Sequence, residues 1–143
     1  MLAHRSPLKC VVSCQKIHMK RNWDTIREIL IKFEELDPET GALQLNDFPA
    51  DRAYEFSYHV ELLLEAGLIY GQMSKTMGRH AQNFLAQRLT WQGHEFLDAI
   101  RSDTVWNKTK TSFVKGGLSM TFDLVREVAK DVAVALLKST VGS

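Results

Sequence analysis

Apolar positions along the chain alternate between the spacing of helices and the spacing of strands. Residues three or four positions apart predict a first helix that ends at about Leu36, with Asn22 or Asp24 as the cap at its start. Residues 37–41 then stop this helix, because proline disfavours helix in the residue before it and glycine permits a turn. Leu43 and Leu45 alternate with polar residues, which predicts a very short strand.

The middle of the chain predicts a second helix followed by a hairpin. Apolar side chains lie on more than one face over about residues 52–66, which places this helix centrally in the core. Gly67 is the expected stop. The β-prone residues 68–70 and 88–90 predict two strands, joined by a loop at 71–86 that we call the wing. Thr90 then caps a third helix.

The last third of the chain predicts a linker and one long helix. Residues 107–117 are polar and basic and end in two glycines, so we expect a hinge or linker there. The final helix is predicted over about residues 119–138. Packing onto the parent domain and a dimer seam both explain its a/d spacing, which is carried by Leu118, Phe122, Val125, Ala129, Val132 and Leu136.

Residues 1–18 differ from the rest because they hold both cysteines, Cys10 and Cys14. The apolar run between Lys9 and Gln15 is too short for a secretory signal. A zinc site would need four ligands, and no second pair of ligands follows. A disulfide at this spacing would constrain little. We therefore favour translation that begins at Met19, with residues 1–18 as a disordered extension or a start-site artefact.

Composition indicates an ordinary soluble globular protein of one domain, with 143 residues, 45% hydrophobic and 24% charged. No stretch is apolar enough to span a membrane, and a cytoplasmic location is expected. The sequence contains no glycine-rich phosphate loop, HExxH or GxSxG motif, so we expect no enzyme, catalytic residue, cofactor or metal site. The net charge of +1 hides an acidic stretch at 24–65 and a basic stretch at 66–122.

The order of these elements predicts a mainly α protein with a small β-hairpin: a winged helix-turn-helix domain at 19–112, then a hinge and C-terminal helix at 113–143. The segments MKRNWDTIREIL, YHVELLLEAGLI and LTWQGHEFLDAIRSDTVWNKTK, with the Lys115-Gly116-Gly117 junction, resemble domain-of-unknown-function family 2513 over residues 19–137. The resemblance implies a winged-helix-like fold in short bacterial and phage or prophage proteins, and no settled activity. The wing resembles the family least.

A winged helix often places its second long helix in the major groove and its wing on phosphate. No acid occurs in residues 71–94, which favours phosphate contact, whereas the second helix carries four carboxylates, which opposes it. The candidate residues for nucleic-acid contact are Arg52, Tyr54, Tyr58, Lys75, Arg79, His80 and Arg88. Tyr54 and Tyr58 lie one turn apart, and a position in the core is the favoured interpretation for both. We expect His59 to be a hydrogen-bonded core histidine and all three tryptophans to be packing anchors.

The sequence therefore predicts a phage- or prophage-associated regulator or accessory factor that binds double-stranded DNA through the second helix and the wing. The alternative is a protein-interaction module that binds a host or phage protein. A homodimer through the last helix is compatible with either.

Overall fold

The computed structural model describes residues 20–39, 41–74 and 81–141. This part of the chain is mostly helical and contains one antiparallel hairpin, as predicted. Residues 1–18, with both cysteines, and the wing candidates Lys75, Arg79 and His80 lie outside the described residues. The elements in chain order are α1 (Trp23–Glu34), α2 (Ala53–Glu65), β1 (Ile69–Ser74), β2 (Asn83–Leu89), α3 (Trp91–Ile100), α4 (Asp103–Gly116) and α5 (Phe122–Val141).

The first helix begins and packs as its sequence pattern predicts. The Asn22 side chain accepts hydrogen bonds from the backbone N–H groups of Asp24 (2.9 Å) and Thr25 (3.3 Å). These bonds satisfy donors that have no partner inside the helix. The apolar stripe of α1 is buried in the common core at Ile26, Ile29, Leu30 and Phe33.

Between α1 and α2 the chain makes a one-residue strand and two short 3-10 turns. Leu43 exchanges backbone hydrogen bonds of 2.8 and 2.9 Å with Ala86 of β2, so the expected short strand is a single bridge. Leu45 lies instead in the first turn, Leu45–Asp47, and the second turn, Ala50–Arg52, leads directly into α2. The bridge places Leu43 on one side of β2, with β1 on the other.

The hairpin follows α2 where predicted, but both strands are longer than the predicted residues 68–70 and 88–90. Gly67 ends the helix with a φ of 73°, a conformation that glycine adopts without strain. The strands pair from Ile69 with Leu89 to Ser74 with Asn83, and a bulge lies between Tyr70 and Gly71. The predicted loop at 71–86 is therefore too long, because residues 71–74 and 83–86 pair in the ladder, with Phe84 and Ala86 buried.

The predicted linker at 107–117 is wrong, because these residues lie largely in α4. Ser102 caps this helix, and Gly117 ends it with a φ of 65°. The buried face is narrow and consists of Val105, Trp106, Thr109 and Phe113. The remaining surface of α4 is polar. Because most of its residues are polar, the composition resembled that of a linker, although one face of the helix packs on the core.

The a/d stripe of the last helix packs within the chain. Val125 and Ala129 are fully buried, and Phe122, Val132 and Leu136 are partly buried against the core. Leu118 precedes the helix and remains 63% exposed. The stripe faces α3 and α4, which accounts for its spacing. Val125 and Ala129 are covered by their own chain and are not available to a dimer seam, whereas a homodimer through the other predicted seam positions stays a prediction.

Candidate interaction surface

The exposed side of α2 and of the turn before it carries carboxylates and tyrosines. Its opposite side is buried at Phe56, His59, Val60 and Leu63. Residues one or two turns apart share the outer side because of the 3.6-residue helical repeat. The α2 face, as we call this surface, consists of Asp51, Tyr54, Tyr58, Glu61 and Glu65, all exposed or partly exposed.

Arg52 lies beside the α2 face but is held by two carboxylates. Its Nη2 atom is 2.8 Å from Oε2 of Glu55 and 3.2 Å from Oε1 of Glu28 on α1. The guanidinium also lies over the ring of Phe56, 4.4 Å from the ring centroid. The hydrogen bonds to Glu55, and then those to Glu28, raise the pKa of Arg52 above its ordinary value. This candidate for phosphate contact is therefore an intramolecular tie between α1 and α2.

Glu55 is the centre of this cluster. It accepts hydrogen bonds from Arg52 and from the hydroxyl of the buried Thr25 on α1. The hydrogen bond from Arg52, more than any other contact, holds the pKa of Glu55 below its usual range. The cluster keeps one more carboxylate than guanidinium, so it adds no positive charge to the surface.

His59 is a core residue, as predicted. Its Nε2 atom accepts the backbone N–H of Asn22 at 2.8 Å, so Nε2 carries no proton. The Nδ1–H then donates to the carbonyl oxygen of Glu55, also at 2.8 Å. Burial lowers the pKa of His59, because it disfavours the charged imidazolium. The ring therefore ties the start of α1 to the middle of α2.

The hairpin presents a surface of different character. Tyr70 on β1 is 56% exposed, and Arg88, its partner on β2, lies over the Tyr70 ring at 4.6 Å from the centroid. Arg88 also donates to the backbone oxygen of Leu89 at 3.2 Å. Of the seven candidates for nucleic-acid contact, the structure therefore brings Arg52, Tyr54 and Tyr58 together at α2 and places Arg88 on the hairpin.

An apolar cleft of about 300 Å³ lies at the C-terminal end of α2, and no sequence pattern indicated it. Arg21 and Glu65 line it together with apolar residues. Because its walls come from distant parts of the chain, only the packed structure brings them together. The apolar lining consists of Trp23, Ile26, Leu62, Leu63, Ala66, Leu68 and Phe122.

Two of the three tryptophans are packing anchors, as expected. Trp23 and Trp106 are buried, and the indole N–H of Trp106 donates to the carboxylate of Asp24 at 2.8 Å. The prediction for Trp91 is wrong, because its side chain is 78% exposed. Trp91 is the first residue of α3, and the buried face of that helix begins at Gly93.

Two kinds of feature are absent from residues 20–39, 41–74 and 81–141. No helix in these ranges combines the length and the apolar character needed to cross a membrane. No group of three or more histidine, cysteine, aspartate or glutamate side chains there is arranged to hold a metal ion.

Comparison with known proteins assigns the chain to a family. The sequence model described as "Hypothetical protein (DUF2513)" matches residues 20–119. The chain is also 40% identical over 119 residues to an "Uncharacterized protein" of Haemophilus influenzae, a match that covers 83% of this chain and 99% of the relative. No solved structure matches. A family match over most of the chain, together with this relative, shows that the chain belongs to the DUF2513 family.

Proposed function

We propose that this protein is a non-catalytic interaction module that binds another protein through the α2 face. The observation that carries the proposal is the pairing of Arg52 with Glu28 and Glu55. It leaves the outer side of α2 with carboxylates and tyrosines and without an available guanidinium. A host or phage protein as the partner stays a prediction.

The chemistry of the α2 face suits a basic protein surface. Within the part of the chain that the structure describes, Asp51, Glu61 and Glu65 form no ion pair. Tyrosine is enriched at protein interfaces, since it supplies apolar area together with a polar tip. Complementary charge accelerates association and selects among partners. The same carboxylates would repel the phosphates of DNA.

Site-specific photocrosslinking in the native host tests this proposal. Benzoylphenylalanine in place of Tyr54, which is exposed on α2, should crosslink to a protein partner. The same group in place of Glu127, which is exposed on α5, is the matched control. Asp51→Lys with Glu61→Lys should abolish the adduct at position 54, because the charge that attracts the partner is reversed. Equal adducts at both positions, or an adduct that survives both lysines, would contradict the proposal.

DNA binding by a winged helix is the second candidate. The order of α1, the Leu43 bridge, the short turns, α2 and the hairpin supports a winged-helix interpretation, with Leu43 and β1 flanking β2. Residues 71–94 contain no acid, and Arg88 lies exposed on this segment. In this alternative the hairpin and the wing, rather than α2, would contact phosphate.

Fluorescence anisotropy with random duplex DNA separates the two candidates. The protein-binding proposal predicts no binding even at low salt, where non-specific attraction to phosphate is strongest. Binding that weakens steeply at physiological salt, and that Arg79→Glu reduces, would favour the DNA alternative. The crosslinking and anisotropy experiments use the full chain, so their results can be compared directly.

A further inference from the structure

The apolar cleft is continuous with the α2 face. Leu62, Leu63 and Glu65 of α2 line the cleft together with Ala66, which caps this helix, and Glu65 is also a member of the α2 face. The opposite wall comes from the start of α1 and from Phe122, the first residue of α5. A partner that lies along α2 would therefore reach the cleft without leaving this surface.

The two charged residues that line the cleft are not equivalent. Arg21 lies over the ring of Trp23, 4.4 Å from the centroid, and donates to the backbone oxygen of Met120 at 3.1 Å. The indole N–H of Trp23 donates to the same oxygen at 3.1 Å. Glu65 makes no ion pair with any residue in the described ranges. Arg21 keeps its positive charge on the α1 side of the cleft, and Glu65 places a carboxylate that is unpaired within the described ranges on the side that continues into the α2 face.

We propose that this cleft is the anchoring subsite for the protein partner. It receives one large apolar side chain of a partner segment, and a neighbouring lysine or arginine of that segment pairs with Glu65. This inference rests on the proposed protein-binding function and identifies the chemistry that the partner must carry.

Size and lining support an anchor rather than a whole ligand. A volume of about 300 Å³ is at the lower limit of the roughly 300–1,000 Å³ of small-molecule pockets. Such a volume suits one bulky side chain from a larger molecule. Affinity in protein interfaces is concentrated in a few apolar or aromatic anchors that enter pockets, surrounded by polar contacts. The cleft and Glu65 provide these two parts side by side.

Indole N–H signals in ¹H–¹⁵N NMR spectra of the full chain provide the test. The three signals, assigned with single Trp→Phe variants, report on the cleft (Trp23), the buried core (Trp106) and an exposed site (Trp91). The probe is a five-residue peptide with a central phenylalanine between four lysines. We expect it to shift the Trp23 signal saturably and to leave the Trp91 signal in place.

Two matched peptides separate the apolar contribution from the charge. Replacing the central phenylalanine by alanine should remove the saturable shift of Trp23, since nothing then fills the cleft. Replacing the four lysines by glutamates should also remove it, because the peptide would then be repelled by Glu65 and the rest of the α2 face.

Variants of the protein test the same two contributions. Glu65→Lys should weaken the lysine peptide about five-fold, the equivalent of about 1 kcal/mol. Glu127→Lys, on the exposed side of α5, is the charge-matched control and should leave the affinity unchanged. Ala66→Leu adds bulk at a residue that lines the cleft and should block the peptide without changing any charge.

Other outcomes would overturn the anchoring subsite. A peptide that binds without moving the Trp23 signal, or equal binding of the alanine peptide, would exclude the cleft as the anchor. No saturable binding at millimolar peptide would do the same. A Trp23 signal that moves with protein concentration alone would identify a second copy of the chain as the occupant. Crosslinking from position 54 in each of these cases would show that the α2 face still binds a protein and that only the subsite is wrong.

Discussion

The α2 face and the outer surface of the hairpin are neighbours in the fold and differ in charge. The α2 face carries Asp51, Glu61 and Glu65, and its adjacent guanidinium, Arg52, is held by two carboxylates. The hairpin carries Arg88 over an exposed tyrosine, in a stretch without acids. A winged-helix protein that binds DNA would present both surfaces to phosphate. This difference in charge allows experiments to separate the protein-binding proposal for α2 from the nucleic-acid alternative for the hairpin.

The largest expected effect on stability is at the contact between α3 and Leu68, which holds α2 and the hairpin in position. Gly93 in α3 lies against the backbone of Leu68, which connects α2 to β1, and a Cβ atom there would lie 2.0 Å from the Leu68 oxygen. Gly93→Ala should destabilise the protein by about 3 kcal/mol, because two backbone segments must move apart. Urea unfolding measures this change.

Gly116→Ala is the matched control for that substitution. Its Cβ atom would meet only the Leu118 side chain, at an ordinary distance of 3.8 Å. Stability should stay the same or rise slightly, because alanine favours the helix. Equal losses for both variants would show that the contact between α3 and Leu68 does not hold the two surfaces in place.

The two arginines should differ in what they support. Arg52→Ala should lower the free energy of unfolding by about 1 kcal/mol, since Glu28 and Glu55 lose their partner at a partly solvated site. Arg88→Ala removes mainly its contact with the exposed Tyr70 ring and should cost less, about 0.5 kcal/mol. Urea unfolding of both variants gives the comparison. A larger loss for Arg88→Ala would reverse the roles assigned to the two residues.

The smallest effect is the pH dependence that His59 contributes. Because burial lowers its pKa in the folded state, the unfolded chain binds the proton more readily. The contribution of His59 to the free energy of unfolding is fully present above the ordinary histidine pKa of about 6.5. It declines as the pH falls from there towards the lower pKa of the folded state. The hydrogen bond to Glu55 and its negative charge raise the pKa of His59, whereas the positive charge of Arg52 lowers it, as burial does.

Urea unfolding at several pH values below neutrality measures this contribution. His59→Gln should flatten the decline, whatever it does to stability at neutral pH, because no imidazole remains to be protonated. His94→Gln, at an exposed position of α3, is the control and should retain the decline of the native chain. An unchanged pH dependence in His59→Gln would contradict the buried, neutral histidine.

Local patterns predicted the elements that combine a cap, a stop and a wide apolar stripe. Asn22 caps α1, and Gly67 ends α2 as expected, because both act through a few neighbouring residues. The pattern failed at α4, where a narrow buried face and a long polar surface resembled a linker. The a/d spacing of α5 was recognised, but spacing alone does not distinguish packing within the chain from packing against a second copy.

The candidate site was less predictable than the fold. Tyr54 was expected in the core, and it lies instead on the outer side of α2, 39% exposed. Arg52 was chosen as a cation, although Glu55 three residues later could pair with it locally and its second partner, Glu28, lies 24 residues away on another helix. The Trp91 prediction failed because its exposure depends on where the buried face of α3 begins.

The amino-acid sequence by itself determined the order of helices and strands as far as α3, the acidic character of α2 and the absence of acids in residues 71–94. Helix caps, helix stops and charge composition depend on neighbouring residues, so each can be predicted from a short segment of the sequence. Only the tertiary structure decided that Arg52 also pairs with Glu28 on α1 and that Val125 and Ala129 of α5 are covered by their own chain. It also formed the cleft beside Glu65. Pairing, burial and cavities depend on which distant residues meet, and that is settled when the whole core packs.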